Sequence, residues 1–271
     1  MLIKPLGLMV LTLLLSAPVS AAIYGASYSK LYSIDESTGE ATNIGCYVEG
    51  CTNIGMAGLI NDSKGQLFGA SYSKLYSIDA WTGEATNIGC YIEGCTNIGM
   101  AGLIAGTNGQ LLGASYSKLY SIDALTGEST NIGCYVEGCT NIGMAGLMTD
   151  SNGRLLGASY SKLYLIDVST GKATSIGCYV DGCTNIGMAG LMTDSSGQLY
   201  GASHSKLYSI DALTGQSTNI GCYVEGCTNI GMAGLATTEV PVPATAWLFG
   251  SALITLAGMK LKNNFNEALQ W

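Results

Sequence analysis

Gly-Ala-Ser returns at Gly25, Gly69, Gly113, Gly157 and Gly201, a constant step of 44 residues, and almost everything between those points is copied with them. A period of about 40 to 50 residues belongs to propellers, solenoids or arrays, not to a single irregular domain. Copying also restricts function. Equivalent units give a ring or row of equivalent surfaces, whereas most catalysis needs one asymmetric cluster.

One unit, from Gly69 to Leu112, alternates short runs rich in Tyr, Ile, Leu and Thr with turn signals. Such runs read as strands. We expect four per unit: an inner strand at Met56 to Ile60, a second at Gln66 to Ser71, a third at Lys74 to Asp79 and an outer one at Glu84 to Gly89. Four antiparallel strands in this length make one propeller blade. The resemblance to propeller repeats is carried by Leu-Tyr-Ser-Ile-Asp-x-x-Thr-Gly followed by Ala-Thr-Asn-Ile-Gly, and it spans residues 23 to 237.

The chain opens on a second-type strand, Ile23 to Ser27, and the fifth repeat ends on a first-type strand, Gly231 to Ala236. If the last strand completes the first blade, five blades close with none left over, which removes the free edges. An open solenoid would need distinct end caps, and the terminal repeats show none. The expected fold is therefore all-β: a five-bladed propeller with a C-terminal clasp. Parity then puts the Tyr-Ser-Lys loops and the cysteine loops on one face, and the Asp-x-x-Thr-Gly turns on the other.

Residues 1–21 read as a signal peptide, with Lys4, the apolar stretch Leu6 to Leu15, and Val19-Ser20-Ala21 as the small-residue cleavage site. The repeats fill 22–238 and a distinct segment follows at 239–271. There Val240, Pro241, Val242, Pro243 and Ala244 precede an apolar stretch to Met259 and then Lys260 and Lys262. This run resembles the PEP-CTERM sorting signal of bacterial exosortase substrates, a Val-Pro-x-Pro-Ala motif before a hydrophobic helix and a basic cluster. The resemblance implies an exosortase-type sorting enzyme as partner and an exopolysaccharide-producing setting. Independently, the 16 residues from Ala244 to Met259 make a helix of about 24 Å, near the ~30 Å hydrocarbon core if flanking residues contribute. An exported protein, first anchored in the membrane by this segment, is expected.

All ten cysteines fall in five Cys-x-x-x-x-Cys loops: Cys46/Cys51, Cys90/Cys95, Cys134/Cys139, Cys178/Cys183 and Cys222/Cys227. Export favours five disulfides within repeats. Zinc would need ligands from another blade, and the single histidine is His204.

Catalysis has little to work with, because His204 merely takes the place of Tyr28, Tyr72, Tyr116 and Tyr160 in the fifth copy. The proposed inner strands carry no carboxylates for glycoside hydrolysis. One acidic residue in loops such as Asn61-Asp62-Ser63 is too few for calcium, and no cofactor is expected. A formal charge of -8 without a Lys/Arg cluster in the repeats excludes a nucleic-acid footprint. Binding is the stronger reading. The candidate residues are the Tyr28, Tyr72, Tyr116, Tyr160 and His204 series and the acidic series Glu49, Glu93, Glu137, Asp181 and Glu225, with the Tyr-Val-Glu-Gly loops adding aromatic faces. Weak sites in five copies would gain avidity on a polysaccharide. The competing reading is a structural spacer or protein-contact platform of the matrix, and repeat duplication alone explains the uniformity equally well.

Overall fold

The computed structural model describes residues 23–237 apart from 63, 107–109 and 195; the signal-peptide and sorting segments lie outside the described residues. Five four-stranded antiparallel sheets form a β-propeller. In the second blade the strands are Met56–Asn61, Leu67–Ser71, Lys74–Ile78 and Ala85–Cys90, from axis to rim. The clasp forms as expected: Gly234–Thr237 pairs with Ile23–Ala26, ahead of Lys30–Ile34 and Ala41–Cys46. Among the described residues no helix is long and apolar enough to cross a membrane.

The recurrent Gly-Ala-Ser has a separate reason for each residue. A Cβ at Gly69 would meet the Met56 sulfur at 2.5 Å, so glycine leaves that side chain its place. Ala70 is wholly buried. Ser71 is also buried, and its hydroxyl donates to the Lys74 carbonyl at 3.2 Å and accepts from the Lys74 N–H at 3.1 Å, tying down the loop that carries Tyr72.

The core lies at the seams between blades. Leu31, Ala26 and Tyr47 of the first blade pack on Met56, Leu59, Leu67 and Ile78 of the second, for example. Each outer strand carries an irregularity in register, as between Leu75/Tyr76 opposite Gly89 and Asn87. Bulges of this kind increase strand twist, and the outer strands meet end to end around the rim. The Ala85 N–H donates to the Tyr47 carbonyl of the preceding blade at 2.9 Å, and Ser129–Tyr91, Ala173–Tyr135, Ser217–Tyr179 and Ala41–Tyr223 repeat it around the closed ring. At these joints Gly45 sits on Thr82 and Gly83 so closely that any Cβ would overlap the Thr82 carbonyl oxygen.

Candidate binding site at the channel mouth

The loop Ser27-Tyr28-Ser29-Lys30 and its copies aim their aromatic side chains at the propeller axis. Tyr28, Tyr72, Tyr116, Tyr160 and His204 line one mouth of the channel together. Neighbouring ring centroids are 6.5 Å apart for Tyr28–Tyr72, 6.4 Å for Tyr72–Tyr116 and Tyr116–Tyr160, and 6.2 Å for Tyr28–His204, tilted by 48–51°. Tilted contacts at this spacing are favourable aromatic geometry.

Each ring rests on a glycine shelf. A Cβ at Gly55 would stand 2.8 Å from the Tyr72 ring, and Gly55 has a φ of +70°, so both space and backbone demand glycine. The Asn53 side-chain oxygen accepts the Gly55 N–H at 2.8 Å and fixes the bend. Beneath the rings lies a floor of five alanines, Ala57, Ala101, Ala145, Ala189 and Ala233, against which the tyrosines pack. The cup between rings and floor measures about 20 Å³. Below it the inner strands close in at Gly58 and its copies, leaving about 10 Å³, and a Cβ at Gly58 would lie 2.7 Å from the Ala101 carbonyl. The cup is therefore blind.

Burial pushes the Tyr28 phenol up to about 12, with the neighbouring Tyr72 adding to it. Tyr116 is raised further, again by burial first and then by Tyr160 and Tyr72, and Tyr160 is raised too. They stay protonated at neutral pH, as hydrogen-bond donors and acceptors and not as bases. His204 Nδ1 bonds the Met232 carbonyl at 3.2 Å. A carbonyl only accepts, so Nδ1 carries the proton and Nε2 is the nitrogen turned to other partners.

The sequence offered the four tyrosines and His204 as five repeated weak sites; the structure brings them together at one mouth. The acidic series behaves differently. Glu49, Glu93, Glu137, Asp181 and Glu225 are exposed at the tips of the cysteine loops, and none lines the cup. Nor do the Tyr-Val-Glu-Gly loops present aromatic faces: Tyr47, Tyr91, Tyr135, Tyr179 and Tyr223 are each 1% exposed, wedged into the seams, with hydroxyls that find no partner. The ten cysteines form five disulfides within their loops, Cys46–Cys51, Cys90–Cys95, Cys134–Cys139, Cys178–Cys183 and Cys222–Cys227, each with Cα atoms 4.9 Å apart. Such bonds persist in an oxidising compartment.

The other end of the axis is a funnel of about 140 Å³ lined by aliphatic residues such as Leu59, Ile104, Met148 and Met192 together with Thr149, Thr193 and Thr237. Around it stand the turns. Asp62, Asp150 and Asp194 accept N–H groups of their own turns, as Asx turns do. Among the described residues no cluster of three or more His, Cys, Asp or Glu could hold a metal ion.

Charge separates the two ends completely. On the aromatic face Lys30, Lys74, Lys118, Lys162 and Lys206 balance the five acidic loop residues. On the turn face Asp35, Glu36, Glu40, Asp62, Asp79, Glu84, Asp123, Glu128, Asp150, Asp167, Asp194 and Asp211 face only Lys64, Arg154 and Lys172. The one ion pair among the described residues, Arg154–Asp150 at 2.7 Å, lies on that acidic face.

No family model and no curated relative matches the chain. Among solved structures it is similar to a chain of a nidogen/laminin complex, at 10% identity over 80% of this chain and 98% of that one, TM-score 0.50. It is also similar to a structure described as the de novo evolutionary emergence of a symmetrical protein, at 20% identity over 79% and 93%, TM-score 0.48. A third is virginiamycin B lyase from Staphylococcus aureus, at 14% identity over 73% of this chain, TM-score 0.45; the chain spans 64% of that lyase's length. At such identities what is shared is the fold.

Proposed function

We propose that this is an exported, non-enzymatic binding protein of the cell envelope or extracellular matrix, whose aromatic face takes up polysaccharide. One observation carries the reading: four tyrosines and a histidine converge at the axis on the face whose charges balance. Phenols and an imidazole offer the hydrogen bonds and flat apolar edges that a pyranose uses, and a neutral or anionic polymer meets no net repulsion there. The five disulfides agree with export. The Val240-to-Ala244 motif and the apolar stretch after it would make residues 239–271 the substrate of an exosortase-type sorting enzyme, by resemblance to PEP-CTERM signals. The tyrosines act as one axial site, and the five disulfide loops with Glu49 and its copies would supply repeated contacts around it.

The test is retention of the full chain on immobilised envelope polysaccharides. Replacing Tyr72 and Tyr116 together with Ala is expected to abolish retention while the disulfides and far-UV spectrum stay unchanged. If no polysaccharide retains the wild type, the reading is wrong. The spacer reading is favoured by the small size of the cup, about 20 Å³; it predicts that the tyrosine variant enters the matrix as well as the wild type does.

A further inference from the structure

The geometry points to a sugar bearing a methyl group as the axial ligand, with the methyl seated in the alanine cup. The inference rests on the polysaccharide reading above and narrows it to a ligand class: 6-deoxyhexoses, or sugars carrying an acetyl group. The cup holds about 20 Å³, room for one methyl or one water. Its chemistry distinguishes the two. The floor is five alanine methyls, each 3–4% exposed, and the glycine level beneath narrows to about 10 Å³. A water needs two to four polar partners; the alanine methyls offer it none, so it would depend on the side chains of the rim, whereas a methyl needs no partner. A methyl there removes apolar surface from water on both sides.

The rim supplies the rest of the recognition. The phenols of Tyr28, Tyr72, Tyr116 and Tyr160 stand around the cup as hydrogen-bonding groups, and His204 breaks the symmetry with an imidazole. A methyl flanked by hydroxyl or amide groups, as on C5 of a deoxyhexose or in an N-acetyl group, meets both requirements at once. A hydroxymethyl in the same position would bury its hydroxyl against the alanine floor without a partner, which is costly.

Saturation-transfer NMR on the full chain tests this with paired sugars: L-fucose against L-galactose, L-rhamnose against L-mannose, and N-acetylglucosamine against glucose. We expect the methyl-bearing member of at least one pair to bind about fivefold to tenfold more tightly, with its methyl protons receiving the strongest saturation. Which pair responds separates the deoxy from the acetyl source. Ala145→Val fills the cup and should erase the difference within that pair. Ala145→Ser, of nearly unchanged size, puts a hydroxyl on the floor and should reduce it. Equal binding within every pair, or a preference that survives Ala145→Val in a folded protein, overturns the inference. If polysaccharide is retained yet no methyl preference exists, the cup inference fails and the polysaccharide reading stands. If neither polysaccharide nor sugar binds, both fail.

Discussion

The two faces of the ring are built from the same five repeats, yet they are held by different chemistry. On the aromatic face each crossing loop is closed by a disulfide, and its second cysteine sits in the left-handed region, with φ between +51° and +53°. On the turn face each Asp-x-x-Thr-Gly turn is held by a carboxylate oxygen accepting backbone N–H groups, as Asp79 does from Trp81 and Thr82 at 2.8 and 2.9 Å. One face is stapled covalently and balanced in charge; the other is held by ionised hydrogen bonds and carries the excess of negative charge. The aromatic face should therefore answer to reductant and alkali, and the turn face to acid.

The largest effect is expected where the two faces share a seam. Gly133→Ala would drive its Cβ into the Thr170 carbonyl oxygen, where both partners are backbone and cannot swing aside. We expect a loss of more than about 3 kcal/mol, or roughly 6–12 °C in melting temperature for a domain of this size, seen by calorimetry. A loss no larger than that from Ala at an exposed strand position would show that the seam is loose.

Removing one staple should cost less. Replacing Cys134 and Cys139 by Ser opens a six-residue loop worth about 2 kcal/mol by the chain-entropy estimate. Part of that is offset by strain, because Cys139 holds a φ of +51° and a non-glycine residue there costs on the order of 1 kcal/mol. Cys134→Ser with Cys139→Gly should thus recover about 1 kcal/mol over the double Ser variant, measured by urea denaturation. Equal stabilities would mean that the disulfide stores no such strain.

Titration should separate the faces without mutation. The Ser37 and Ser169 hydroxyls hold Asp35 and Asp167 below their ordinary value of 3.8, and backbone N–H groups do the same for Asp79 and Asp211. Their folded values lie below their unfolded ones, so their contribution is present above about pH 3.8 and fades as pH falls below it. Tyr28 moves the other way, from 10.0 to about 12, by burial. Its contribution is full below pH 10 and disappears as pH rises through about 12. The seam tyrosines, such as Tyr135, are raised well above 10 by burial as well. Absorbance at 295 nm should show delayed, cooperative tyrosinate formation coinciding with alkaline unfolding, while acid should broaden the turn-face amides first. Early, gradual titration of all the tyrosines would contradict both the ring and the seams.

How much of this difference could be read beforehand depends on which residues speak locally. Turn glycines, the alternating strands and the paired cysteines act within a few residues, so blade, clasp and staples were legible, and parity sorted the loops to their faces. Strand twist was not. It swings the outer strands around the rim, bringing Gly45 onto Thr82, and it draws Tyr47 into a seam instead of leaving it on the surface. The Ile-Gly-Cys glycine in every copy was the available signal, since a glycine inside a strand often marks close backbone approach. The meeting of Tyr28 and its copies was equally hidden, because a repeat fixes a side chain's place in its blade but not its distance to the next copy.

The smallest effect probes the turn face at one of its variable positions. Trp81 is 89% exposed, and Leu125 and Leu213 occupy the same position in other copies. Ser37 and Ser169 occupy it too, and there the hydroxyl donates to the Asp35 or Asp167 carboxylate at 2.6 Å. Trp81→Ser should therefore leave the melting temperature within about 2 °C yet give Asp79 the extra hydrogen bond that its counterparts have. The expected readout is an Asp79 pKa that falls toward that of Asp35 in an NMR titration, with sugar binding on the opposite face unchanged. A large stability change would mean that Trp81 contacts more than solvent. An unmoved Asp79 would mean that the Ser37 hydroxyl is not what lowers Asp35, and that the backbone N–H groups hold these turns by themselves.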